Sequence, residues 1–252
     1  MFNEDFEAAA NAAAAKHSFL KENPFGYFLL SLLAGMYVGF GVLLAFTVGG
    51  LLSGSPATKL AMGASFGVAL SLVVMAGAEL FTGNNLVMTA GMLKKKTTFR
   101  DAIVLWIVCW LGNAVGGVLL AVLYHLTELS NGPVGEFMAT SALAKMTASP
   151  MALLSRGILC NMLVCIAVWC GFRCKTESGK LIMIFWCLFA FITTGFEHSV
   201  ANMTLLTIAL INPAGTAVSV SGWLYNLGLV TLGNMIGGIL FVAVPYRCAA
   251  KR

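Results

Sequence analysis

Six apolar runs, each long enough to cross a lipid bilayer, constrain this chain more than any other feature. They are Gly26–Leu52, Leu60–Leu93, Ala102–Leu126, Met151–Phe172, Leu181–Ile211 and Gly222–Tyr246. A crossing helix needs about 20 mostly apolar residues. The second and fifth runs are too long for one crossing and carry polar and small residues within them, the pattern of helices that break inside a membrane. Charged residues make up 10% of the chain and hydrophobic ones 59%, where soluble domains carry about 25% charged. The outer surface must therefore face lipid. The sequence predicts an all-α membrane protein with a six-helix transmembrane domain over 26–246, an N-terminal amphipathic helix over 1–25 and a tail over 247–252.

The loops predict the orientation. With six spans, one side holds both termini and the loops at 94–101 and 173–180. These carry Lys16, Lys21, Lys94, Lys95, Lys96, Arg100, Arg173, Lys175, Lys180, Arg247, Lys251 and Arg252, leaving Lys59, Lys145 and Arg156 for the other side. Twelve against three is a strong positive-inside bias, placing both termini in the cytoplasm. The same rule accounts for the net charge of +5 and for Lys94-Lys95-Lys96, without a nucleic-acid partner or a dedicated lipid patch. The first fifteen residues contain Glu4, Asp5 and Glu7 and no Lys or Arg, unlike a secretory signal. Asn3 and these acids suit a helix start, and Lys16, His17 and Lys21 suit its end. Phe2, Phe6 and Leu20 give that helix an apolar side, which fits a helix lying along the membrane surface or a solvated leader. The seven cysteines sit mostly inside apolar runs without a CxxC spacing, and read as small packing residues. No metal site or cofactor is predicted.

An internal repeat emerges when the runs are aligned. Gly112-Asn113-Ala114-Val115-Gly116-Gly117 recurs as Gly233-Asn234-Met235-Ile236-Gly237-Gly238, offset by 121. Gly77-Ala78-Glu79 recurs as Gly195-Phe196-Glu197, offset by 118, and Gly35 aligns with Gly157, offset by 122. A three-span unit has thus been duplicated, and because three is odd the copies enter the membrane from opposite sides. Paired broken helices in such inverted repeats form a pathway near the midplane. The GNxxGG runs read as helix-packing surfaces.

Glu79 and Glu197 are the carboxylates inside the runs, at matching repeat positions. A lone charge at the bilayer centre costs at least about 2.5–3.5 kcal/mol on insertion scales. The favoured reading is that each accepts backbone N–H groups where its helix breaks; the alternative is a functional carboxylate. His198, next to Glu197, is the histidine at a break. Burial favours its neutral form and a passing anion its charged form, which fits a pH-sensitive gate or proton donor. In the matching segment Thr82 offers a hydroxyl, Gly83 allows non-helical backbone, and Leu80 and Phe81 fit an apolar constriction. Asn212-Pro213-Ala214 occurs once, after the fifth run, and reads as a helix stop. Asn202-Met203-Thr204 matches a glycosylation sequon but lies within a run. No phosphate loop or nucleophile–base set with a third member is present, and Ser199 cannot face His198 on one helix.

At Glu79-Leu80-Phe81-Thr82-Gly83 and Gly195-Phe196-Glu197-His198-Ser199-Val200-Ala201-Asn202-Met203 the chain resembles the formate/nitrite transporter family. Further matches are Ala144-Lys145, Gly157-Ile158-Leu159-Cys160-Asn161, Leu163-Val164-Cys165 and Thr231-Leu232-Gly233-Asn234, so the likeness covers the whole membrane region. The resemblance implies a homopentamer with one pore per protomer and an aquaporin-like six-helix fold in a prokaryotic inner or plasma membrane. It implies small monovalent anions and protons as partners, with His198 and Thr82 meeting at the midpore. By position it places Phe66, Leu70, Leu80, Phe81, Val164 and Phe191 in the constrictions. It puts Lys145 and Asn161 near an outward vestibule that attracts and orients anions, with Glu79, Glu197, Gly83 and Asn202 supporting the breaks. Phe81-Thr82-Gly83 and Ala142-Leu143-Ala144-Lys145 resemble the nitrite and hydrosulfide branch more than the formate channels. The competing readings are an aquaporin-like channel for neutral solutes, which would need two NPA boxes, and an intramembrane enzyme, which would need a nucleophile facing His198.

Overall fold

A computed structural model describes residues 2–250, and every regular element among them is a helix. Where water is excluded, a helix is the way a single segment can satisfy all its backbone polar groups. The N-terminal helix α1 (Asn3–Glu22) precedes the first span, α2 (Pro24–Leu51). The second run divides into α3 (Thr58–Phe66), α4 (Val68–Met75) and, after a non-helical stretch, α5 (Phe81–Leu93); α6 (Phe99–Leu126) is the third span. The second half follows α7 (Gly132–Met146) with α8 (Pro150–Arg173), then α9 (Glu177–Thr194) and α10 (Ser199–Ile211) as the broken fifth run. The last run is α11 (Val220–Gly238), a π-helical turn over Ile239–Ala243, and α12 (Val244–Ala249). Pro245 has no N–H for the carbonyl one turn back, and the wider turn just before it absorbs the mismatch.

Glycines set how closely the repeat-related helices cross. A Cβ on Gly35 would collide with the Asn113 carbonyl, and one on Gly116 with the Leu32 carbonyl, so α2 and α6 meet backbone to backbone. In the second half Gly233 and Gly237 hold the same relation to the carbonyls of Leu154 and Ile158, bringing α11 onto α8. Such close approach is how helices associate where lipid removes the hydrophobic drive. The two half-helices α5 and α10 sit at the centre of the bundle, with Phe81–Gly91 and Ser199–Ala209 buried along almost their whole lengths.

The breaks match in detail. Gly77 (φ +78°) and Gly195 (φ +80°) leave the helical region where only glycine does so without strain. Leu80 (φ −105°, ψ 123°) and His198 (φ −111°, ψ 115°) are extended residues immediately before α5 and α10. Gly83, expected to supply non-helical backbone, lies inside α5, because the turn is completed upstream at Gly77.

α1 fits neither a membrane-surface helix nor a solvated leader. Its apolar side, Phe6, Ala9, Ala10, Ala13 and Leu20, is buried in the protein, with Ala13 against Gly91 of α5. Asp5–Arg173 (2.9 Å), Glu7–Lys94 (3.0 Å) and Glu7–Lys96 pin its outer side. Phe2 meets Tyr246 with ring centroids 5.7 Å apart, so both ends of the described chain share one face of the bundle, called here the termini face. α7 lies in what the apolar runs left as a connection. It buries Gly135, Met138, Ala139, Ala142 and Met146, at the three- and four-residue spacing of one helix face, and carries Lys145 in its last turn.

Candidate functional site

Three cavities lie end to end through the bundle. A far-face cavity of about 680 Å³ reaches from the α2–α3 connection at Lys59 down to Phe66, Phe191 and His198. A termini-face cavity of about 370 Å³ runs from Lys16 to Leu70 and Leu80. Between them is a pinch of about 10 Å³, which shares Phe66, Phe191 and His198 with the first cavity and Leu70 and Leu80 with the second. Val38, Ala69, Val164 and Leu188 complete its wall. Phe66 meets Phe191 edge-on at 5.6 Å between ring centroids, and the His198 ring lies nearly parallel to Phe191 at 5.9 Å.

His198 is the polar side chain of the pinch lining. Its Nδ1 accepts the N–H of Ala201 at 3.1 Å, capping the first turn of α10. A backbone N–H can only donate, so Nδ1 carries no proton and the proton of the neutral ring sits on Nε2. Nε2 then donates to Thr82 Oγ1, 3.0 Å away in the facing half-helix. The expected meeting of Thr82 with His198 thus occurs, although by repeat offset the residue equivalent to His198 is Leu80. The ring both lines the narrow passage and finishes a helix.

The two break carboxylates accept from side chains, where backbone donors were expected. Glu197 takes both oxygens to Lys145 Nζ at 2.8 Å and accepts Asn202 Nδ2 at 2.7 Å. Glu79 takes Lys16 Nζ at 2.5 Å, Tyr27 Oη at 3.0 Å and Asn84 Nδ2 at 2.9 Å. The backbone donors at the breaks go instead to the asparagines of the GNxxGG runs. Asn113 Oδ1 accepts Phe81 N–H and Asn234 Oδ1 accepts Ser199 N–H, both at 2.9 Å. Their amides bridge back, Asn113 to the carbonyls of Ser31 and Glu79, and Asn234 to those of Gly157 and Glu197. The runs therefore combine packing with capping, and the asparagine in each is what a pure packing motif would lack.

Two sequence-predicted residues lie elsewhere. Phe81 does not line the pinch: its N–H is held by Asn113 and its ring turns outward into an apolar groove with Trp106, Trp110 and Met235. Asn161 does not line the far cavity. It is fully buried, donating to the carbonyls of Asn234 (2.7 Å) and Thr82 (3.3 Å) and to Asn85 Oδ1 (3.0 Å), so from α8 it ties the half-helix α5 to α11. Lys145, Phe66, Leu70, Leu80, Val164 and Phe191 do line the cavities. Sequence reasoning missed Lys16, whose one signal was its place in an amphipathic helix, and it missed Val38 and Leu188, which nothing distinguishes from other apolar residues in a span. Among the described residues no His, Cys, Asp or Glu cluster could hold a metal.

The Formate/nitrite transporter family profile matches residues 3–248. The Nitrite transporter NirC of Escherichia coli (strain K12) is 42% identical, over 100% of this chain and 94% of its own length. A solved structure described as an FNT family ion channel superposes with a TM-score of 0.94 at 40% identity, covering 98% of this chain and 99% of that one. A pentameric formate channel with formate bound gives a TM-score of 0.80 at 27% identity, covering 91% and 98%. The six apolar helices make this a multi-pass membrane protein, built for transport as its relatives are. The chain belongs to the formate/nitrite transporter family.

Proposed function

We propose that this protein passes small monovalent anions across a prokaryotic inner or plasma membrane. Nitrite is the first substrate, and formate and hydrosulfide are competitors. The assembly is a homopentamer with one pore per protomer and both termini in the cytoplasm. One observation carries the reading: a lysine–glutamate pair stands at each end of an apolar pinch in a family whose relatives carry nitrite or formate. The two cavities are its vestibules, and the far-face one opens outward.

A bare anion in the pinch would lose its hydration without a partner charge, at a cost of several kcal/mol. Nitrite, formate and hydrosulfide all have neutral conjugate acids, and such an acid can cross a slit that its anion cannot. Vestibule lysines raise the local anion concentration. His198, bonded as it is, is a poor proton source. Its single N–H proton is on Nε2, and a second proton could enter only at Nδ1, by taking Ala201's acceptor away. The neutral ring instead offers a hydrogen bond, directly or through Thr82, and the proton comes from vestibule water.

Flux into proteoliposomes from pH 5 to pH 9 tests this. Nitrite uptake rises as pH falls, and His198→Asn, which keeps a donor, retains that slope with a lower rate. Flux indifferent to pH would exclude passage as the neutral acid, and loss of the pH slope in His198→Asn would restore His198 as the proton donor.

A further inference from the structure

The far-face vestibule is much larger than its proposed cargo requires. A cavity of about 680 Å³ above a pinch of about 10 Å³ lies in the range of organic-ligand sites, about 300–1,000 Å³. Its lining is also of that kind, mostly apolar with a few convergent polar groups. Phe46 and Phe137 meet at 6.0 Å on one wall, with Phe196 among the other lining residues. Lys145 is the cation at depth. Two of its three N–H groups go to Glu197, and its side chain keeps 20% of its exposure, leaving the third donor for a ligand. Lys59 lines the mouth of the same cavity.

We infer that this vestibule is a binding site for small aromatic monoanions, such as arylcarboxylates, which block the pore from the far face. The anionic head meets Lys145 and the ring lies against Phe137 and Phe46, while the pinch is too narrow for it to pass. The termini-face vestibule has about half the volume, and Phe172 is the one aromatic residue on its wall among the described residues, so it gives no comparable seat. The inference rests on the proposed anion-transport reading, and the controls below keep the two separable.

Nitrite flux is measured in proteoliposomes with benzoate, benzenesulfonate or acetate added outside. Benzenesulfonate stays charged and so acts only from its own side. The far-face population is separated with an impermeant thiol reagent that closes pores carrying Lys59→Cys, at the cavity mouth away from the pinch. Both aromatic anions should inhibit at concentrations about tenfold lower than acetate, through far-face openings only. Phe137→Ala should leave nitrite flux unchanged and weaken the block about tenfold, the order expected for one aromatic contact, with Phe137→Leu intermediate. Unaltered nitrite flux and a normal pentamer profile show that the variants fold. Equal block by acetate, equal block from both faces, or unchanged block in Phe137→Ala with normal flux would each overturn the site. Absence of nitrite flux in the unsubstituted protein would overturn the transport reading instead.

Discussion

The two vestibules are built alike at their floors and differently at their cations. At the floor, the duplication supplied each with the same parts: Glu79 and Asn84 on the termini face, Glu197 and Asn202 on the far face, both pairs offset by 118. The lysines are not repeat-related. Lys145 comes from α7, whose last-turn carbonyl is held by Asn226 of α11 at 3.0 Å, so the cation is fixed within the bundle. Lys16 comes from α1, which precedes the repeat and is attached to it by side-chain packing and surface ion pairs. The buried acid and amide were thus inherited twice, while the charge that answers them was added separately on each side. One face carries its cation on the core and the other on an appended helix.

The test with the largest expected effect asks whether the shared floor is equally essential in both halves. Asn113→Ala and Asn234→Ala each strand one backbone N–H at a helix break, of Phe81 or Ser199, at a cost of about 1–3 kcal/mol, and also remove the amide donor from the break carbonyl of Glu79 or Glu197. Both should abolish recovery of a folded assembly by size-exclusion chromatography. Survival of one and not the other would show that the halves carry unequal loads.

The next test separates the cations. Lys145→Ala leaves Glu197 buried without its partner, and breaking a buried pair costs about 3–5 kcal/mol. Lys145→Ala should therefore lower both melting temperature and flux. Lys145→Ala with Glu197→Gln should recover the melt but not nitrite uptake at low concentration. Lys16→Ala should lose less thermal stability, since its partner Glu79 keeps Tyr27 and Asn84. Equal melts for the two single variants would remove the distinction between core and appended cation.

A smaller effect is expected at the pinch, which belongs to both vestibules. Leu80→Ala should widen it and let water enter, raising flux several-fold and flattening its pH dependence. Unchanged pH dependence in a well-folded variant would take Leu80 out of the barrier.

The smallest concerns how α1 is held. Hydrogen bonds from Lys96 and then Lys94 keep the Glu7 carboxyl below its ordinary value of 4.5. The depressed value means the clamp is fully present above the ordinary carboxylate range and is lost as pH falls through the lowered one. Amide exchange in α1 should be flat from pH 5 to pH 8 after correction for intrinsic rates, and should rise below pH 4. Glu7→Gln should exchange faster at neutral pH and lose that acid step. An acid step that persists in Glu7→Gln would assign the clamp elsewhere.

The spans, their breaks and the repeat were legible because each leaves a one-dimensional trace, in apolar length, in interruption and in recurrence. The meeting of Thr82 with His198 was legible only through the family resemblance, since 116 residues separate them. What stayed hidden depends on direction. Phe81 and Leu80 are adjacent and equally apolar, yet one faces the groove beside Trp106 and the other the pinch, and the choice is made by Asn113 holding the Phe81 N–H. Asn161 matched a vestibule position but is turned into the seam between α5 and α11. The α7 helix carried a readable three-and-four spacing, overlooked because it is shorter than a span.

Both half-helices begin at the pinch: α5 starts at Phe81 and α10 at Ser199, with Thr82 and His198 in contact between them. Each helix start carries the positive end of a peptide macrodipole, roughly half an elementary charge. Two such ends therefore converge on one narrow, water-poor point. A cation arriving there meets repulsion from two directions, while partial negative charge on a passing acid is welcomed. On the proposed anion path, selection against sodium and potassium would then require no charged side chain at the centre, and the dipole part of it would not change with pH, because a peptide dipole cannot be titrated.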